Sequence, residues 1–164
     1  MDWTKQIGRY VIVMLLQVLL FNHLQLFGVC HPYIYVLCLL MMPITLPRSV
    51  DMLLGAAAGI VMDTFCNSLG IHTAACILIM FIRPYLLSAV VNDKDRLNEQ
   101  ISLHTLGMEA FVKYVVILVI LHHLTVLTIA AWSWSHFGFV LVETAVSSLI
   151  SILCIIGYNA LTYR

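Results

Sequence analysis

From Tyr10 to Pro47 the chain contains no Asp, Glu, Lys or Arg. A segment that long cannot cover a water-facing surface, because folded domains in water carry about a quarter of their residues as charges. The silence recurs from Met52 to Met62, Thr64 to Ile82, Tyr114 to Val142 and Thr144 to Tyr163. Over the whole chain 62% of residues are hydrophobic, 10% are charged, and the mean hydropathy is +1.02. The solvent is therefore lipid, and the chain reads as an all-α integral membrane protein. One helical crossing of ~30 Å of hydrocarbon takes about 20 residues. The 164 residues have room for five or six crossings and little else. That excludes an appended nucleotide-binding or hydrolase domain. A formal net charge of zero gives no electrostatic case for nucleic acid. The ten-residue apolar/polar alternation of barrel strands is absent.

The breaks between silent runs predict six transmembrane helices in one domain: 7–27, 32–46, 49–65, 72–91, 106–131 and 137–161. Gly28 and His31-Pro32 divide the first long run, since proline disfavours a helical residue before it and suits the first turn of the next helix. The second and third helices are at or below spanning length, so they are expected inside a bundle or beside thinned bilayer. The sustained polar stretch, Asn92 to Thr105, is the connection between the fourth and fifth. Lys5, Arg9, Arg48, Arg83, Lys94, Arg96, Lys113 and Arg164 all sort to one side if both termini are cytoplasmic. The loops on the other side, near 28–31, 67–71 and 133–136, hold no cation. A basic start before an apolar run resembles a signal peptide, but no small-residue cleavage site follows it. Phe27-Gly28-Val29-Cys30 fits a lipoprotein box poorly. Five cysteines form no CxxC pair, and only Cys30 and Cys66 fall near outer loops where a disulfide could form.

The most informative helix is the third. Gly55, Gly59 and Asp63 recur every four residues and so share a face. Small residues at that spacing let another helix approach closely in lipid. The Gly55/Ala58/Gly59/Met62 surface is therefore a candidate packing or partner-binding face, with Ala145/Ser148 on the sixth helix a second. Asp63 lies about one turn from the outer end. It could cap the turn at Asn67-Ser68-Leu69-Gly70 or pair with a polar group on another helix. Glu143 is a second intramembrane acid and, with His72, forms an outer-half polar candidate set. His23, His31, His72, His122, His123 and His136 gather toward one side and read as interfacial polar residues. No pair of them has the i, i+4 spacing of a helical zinc site, so neither metal nor cofactor is expected. Arg83, followed by Pro84, is expected to snorkel toward the cytoplasm. Glu109 and Lys113 form an ordinary i, i+4 surface pair. No Walker loop, nucleophile elbow or HExxH signature is present, so no catalytic residue is expected.

The stretch from His31 to Leu87 resembles the bacterial rod-shape-determining MreD family. The matching pattern is Pro32 opening a short second helix, the turn Leu46-Pro47-Arg48, the helix Gly55-x3-Gly59-x3-Asp63, and the Leu69-Gly70 turn into the fourth helix. Asn67-Ser68 stands where many members have Ser-Gly. The resemblance covers about a third of the chain, and helices five and six add only composition. It implies a non-enzymatic scaffold in the cytoplasmic (inner) membrane, serving the cell-elongation complex and lateral peptidoglycan synthesis. An MreC-type single-span protein would be its direct partner. MreB filaments, a RodA-type glycosyltransferase and a penicillin-binding transpeptidase would be indirect partners, with membrane lipid around all of them. It also implies a fold similar to the substrate-binding subunits of energy-coupling-factor transporters. That fold supplies a second reading, a membrane subunit binding a vitamin from the outer face.

Overall fold

The computed structural model describes residues 3–23, 30–91, 101–132 and 137–162. The described residues form helices joined by short connections. Four helices are long and apolar enough to cross a membrane: α3 (Arg48–Cys66), α4 (Ile71–Val90), α6 (Met108–Ala131) and α7 (Phe137–Thr162). The chain is a multi-pass membrane protein. Three further helices are α1 (Trp3–Leu19, 17 residues), α2 (Val36–Leu40) and α5 (Leu103–Leu106). A 3-10 turn, Phe21–His23, follows α1. Residues 24–29, 92–100 and 133–136 lie outside the description. So do Gly28, His136, most of the polar connection and the side chains of Lys5 and His23.

The principal packing is α3 on α4, α4 on α6 and α6 on α7. Large side chains such as Leu53, Ile60, Leu149 and Leu153 stay on the outside, where lipid is their solvent. Gly70 (φ +83°) and Gly107 (φ +80°) turn the chain into α4 and α6 with a backbone that side chains disfavour. Ser102 accepts from the Thr105 N–H and Thr105 Oγ1 from the Ser102 N–H, so a capping box closes α5.

The expected second helix, 32–46, is corrected: only Val36–Leu40 is helical. Pro32, Pro43 and Pro47 each lack an N–H, and each restricts the residue before it. What remains between the prolines is a single helical turn or so. The stretch from Tyr35 to Met42 is nevertheless fully buried. Irregular backbone persists in such surroundings only where other groups complete its hydrogen bonds. The His31 N–H donates to Ser147 Oγ (2.9 Å) and the Tyr33 N–H to Ser151 Oγ (3.0 Å), both on α7. Gln17 of α1 donates to the Pro32 carbonyl. Its Oε1 accepts the N–H groups of Ile34 (2.6 Å) and Tyr35 (3.2 Å).

At the other end of this segment, three carbonyls are taken by three different helices. Tyr114 donates to Leu40 O (2.8 Å), Tyr10 to Met41 O (3.1 Å), and Arg83 to Met42 O. The segment runs antiparallel to α1, with Gln17 beside Pro32 and Tyr10 beside Met41.

Candidate functional site

The stripe on α3 is longer than the glycine pattern: Asp51, Gly55, Gly59 and Asp63 are all buried at four-residue intervals. Each faces α4. A Cβ on Gly59 would stand 2.3 Å from Thr73 Cα, and one on Gly55 would stand 2.7 Å from Met80 Cγ. Met62 is buried and Ala58 is packed at the edge of the same core. The surface expected to receive a partner helix is thus filled by the chain's own α4.

Acids hold the two ends of this seam. Asp63 Oδ1 accepts the Ser68 hydroxyl (2.6 Å) and the His72 N–H (2.9 Å). Oδ2 accepts the Thr73 N–H (3.0 Å) and hydroxyl (2.6 Å). The carboxylate therefore caps the first turn of α4, reaching past Leu69, which is fully exposed, and Gly70. At the opposite end Asp51 meets Arg83 at 3.0 Å, with both side chains buried. Arg83 also donates from Nε to Tyr114 (3.0 Å). The expected snorkelling is corrected: the guanidinium turns inward, where a carboxylate, a hydroxyl and a carbonyl accept its protons.

The expected interfacial placement of the histidines is corrected at three positions. His72, His122 and His123 are buried around Tyr33 and Tyr35. Tyr35 Oη lies 2.7 Å from His122 Nε2. His123 Nδ1 contacts the Val119 carbonyl (2.8 Å), so that nitrogen carries the proton. Its Nε2 lies 3.1 Å from Ser151 Oγ, which also accepts the Tyr33 N–H and donates to the Ser147 carbonyl (2.9 Å). The cluster thus ties α6 and α7 to the irregular segment.

Beside it lies a cavity of about 460 Å³ with polar and apolar walls. Asn22, His31, Tyr33, Ser68 and His72 supply polar groups, and Phe21 and Phe65 supply aromatic ones. Glu143 is half-buried on α7 and is not part of this lining.

Cys30 and Cys66 are free thiols. Among the described residues, no group of three or more His, Cys, Asp or Glu could hold a metal.

Sequence reasoning missed Asp51, Gln17, Tyr35, Tyr114, Ser147 and Ser151. Asp51 had a signal, since it extends the four-residue stripe by one turn. The others are polar residues in charge-free runs whose partners are distant in sequence. No protein family, curated protein or solved structure matches the chain.

Proposed function

We propose that the chain is a non-enzymatic scaffold of MreD type in the bacterial inner membrane, with six crossings and both termini cytoplasmic. In this reading it binds an MreC-type single-span protein and supports lateral wall synthesis. The observation that carries the reading is the role of the resembling residues. Gly55 and Gly59 let α4 approach, Asp63 caps it, and Gly70 makes the turn between, so the motif forms one physical unit. Because α4 occupies the glycine face, a partner's helix would meet the outward apolar side chains instead. The second reading, a vitamin-binding transporter subunit, draws on the cavity beside Tyr33 and His72.

Affinity capture of the tagged chain from native membranes in mild detergent, followed by mass spectrometry, separates the two. The scaffold reading expects a single-span coiled-coil protein and wall synthases in the eluate. An ATPase pair with a membrane coupling protein would overturn it in favour of the transporter.

A further inference from the structure

We propose that the groove between α1 and α7 receives one transmembrane helix of a different protein, which carries a lysine or arginine at the end of the bundle where Glu143 stands. The starting observation is a charge without a counterpart. Among the described residues Asp51 pairs with Arg83, Asp63 accepts four donors and Glu109 pairs with Lys113. Glu143 is half-buried and makes no hydrogen bond or ion pair among them. It lies six residues into α7, a helix of 26 residues. At 1.5 Å per residue that is about 9 Å from the helix start. Ionisable side chains within a span almost always find a partner, because lipid solvates them poorly. This chain does not supply the cation. Its described cations Arg9, Arg48, Arg83 and Lys113 belong to the other end of the bundle, where Arg83 meets Asp51, Tyr114 and Met42 O and Tyr10 meets Met41 O. Copies inserted in one membrane share an orientation, so a second copy brings its cations to that same end.

Glu143 also marks the end of a groove. It and Cys154 are separated by about three helical turns, so they share one flank of α7. Cys154 and Tyr158 form one wall of an apolar groove of about 430 Å³, Ile12 and Leu16 of α1 form the other, and Ile34 and Leu37 form the floor. The helices α1 and α7 scarcely touch each other, and Ile12 stays 59% exposed. A phospholipid fits this arrangement badly, since the carboxylate repels its phosphate. A helix fits it well, because a lysine or arginine reaches from the bilayer edge to the carboxylate along its own methylenes. The inference deepens the scaffold reading and rests on it for the class of partner, a single-span protein having one such helix to offer.

The test is photocrosslinking of the full chain in intact cells. The photoreactive residue p-benzoylphenylalanine replaces Ile12 in the groove wall, or Ile60 on the exposed side of α3 as a reference. Adducts are identified by mass spectrometry. The groove position is expected to join one other membrane protein, through a transmembrane segment with a lysine or arginine at the Glu143 end, and the reference position is not. Glu143→Gln should lower the adduct yield by about three- to tenfold, the range of a hydrogen-bonded pair between helices in lipid. The melting temperature should not change, because the carboxylate bonds to nothing within the described chain. Glu143→Lys should abolish the adduct, and replacing the partner's cation by glutamate should restore it. An adduct to a second copy of this chain or to lipid alone, a partner segment without that cation, or a yield indifferent to Glu143→Gln would each overturn the proposal. If the lysine variant does not fold, the glutamine variant decides. Capture of a coiled-coil partner and wall synthases without a groove adduct would strike the groove and leave the scaffold reading. A groove adduct to a helix of a protein unconnected with wall synthesis would do the reverse.

Discussion

Gly59 and Gly55 look alike in the sequence but sit against different atoms. The Gly59 face meets the Thr73 backbone, which can move only with α4, whereas Gly55 meets first a side-chain atom, Met80 Cγ, with the Cys76 carbonyl next at 3.3 Å. Gly59→Ala should therefore destabilise by about 2–3 kcal/mol, with Gly55→Ala clearly milder. Thermal unfolding in one detergent compares them, and equal losses would contradict the close backbone approach. Asp51 and Arg83 obey a different logic, because each is tolerable in the interior only with the other. Arg83→Met strands a buried carboxylate, and Asp51→Leu strands a guanidinium. Each single change should cost about 3–5 kcal/mol, while the double variant should recover much of that loss. Additive losses in the same assay would mean that the two charges do not depend on each other. Asp63 was legible because a carboxylate one turn from a helix end has few roles. The inward turn of Arg83 was not legible, since an arginine followed by proline reads the same whether its partner is water or a distant aspartate.

The segment Cys30–Pro47 is where reading by composition fails. Its apolar run has the length of a short crossing, and hydropathy cannot tell a helix from buried irregular backbone. The prolines were visible, but the groups replacing the helical hydrogen bonds belong to α1, α4, α6 and α7. Gln17 shows the consequence most directly. Gln17→Leu removes the acceptor for two N–H groups and the donor to Pro32 O, and should cost at least about 2 kcal/mol in unfolding assays. On α7, Ser151→Ala should destabilise more than Ser148→Ala. Ser151 accepts the Tyr33 N–H and contacts His123 besides bonding to the Ser147 carbonyl of its own helix, whereas among the described residues Ser148 bonds only to the Ala145 carbonyl of its own helix. A Gln17→Leu protein as stable as the original would show that this backbone draws little from the side chains around it. The long elements were easier: α3, α4, α6 and α7 fall close to the expected boundaries, because a lipid-facing helix must announce itself in hydropathy.

For the whole molecule, the two polar layers lie at opposite ends of the bundle. Asp63, His72 and Ser147 mark one end, and Asp51, Arg83 and Asn159 mark the other, where Asn159 accepts the Leu103 N–H. The irregular segment matters for orientation because it returns the chain alongside α1 from the first end to the second, with only one helical turn or so. Among the described residues four helices are long and apolar enough to cross a membrane, and the proposed six crossings count α1 and this return as well. Arg48, Lys113 and the end of α7 lie toward the same end of the bundle as Asp51 and Arg83, the end that the proposed topology places in the cytoplasm. Leu69 and His104 are exposed positions at opposite ends of this arrangement. In a cysteine-free background, Leu69→Cys should react with a membrane-impermeant maleimide on intact cells. His104→Cys should react only after lysis. Reaction of both on intact cells would put the two ends on one side and break the six-crossing path. Reaction of His104→Cys alone would keep the path and invert it, placing the cavity beside His72 on the cytoplasmic face.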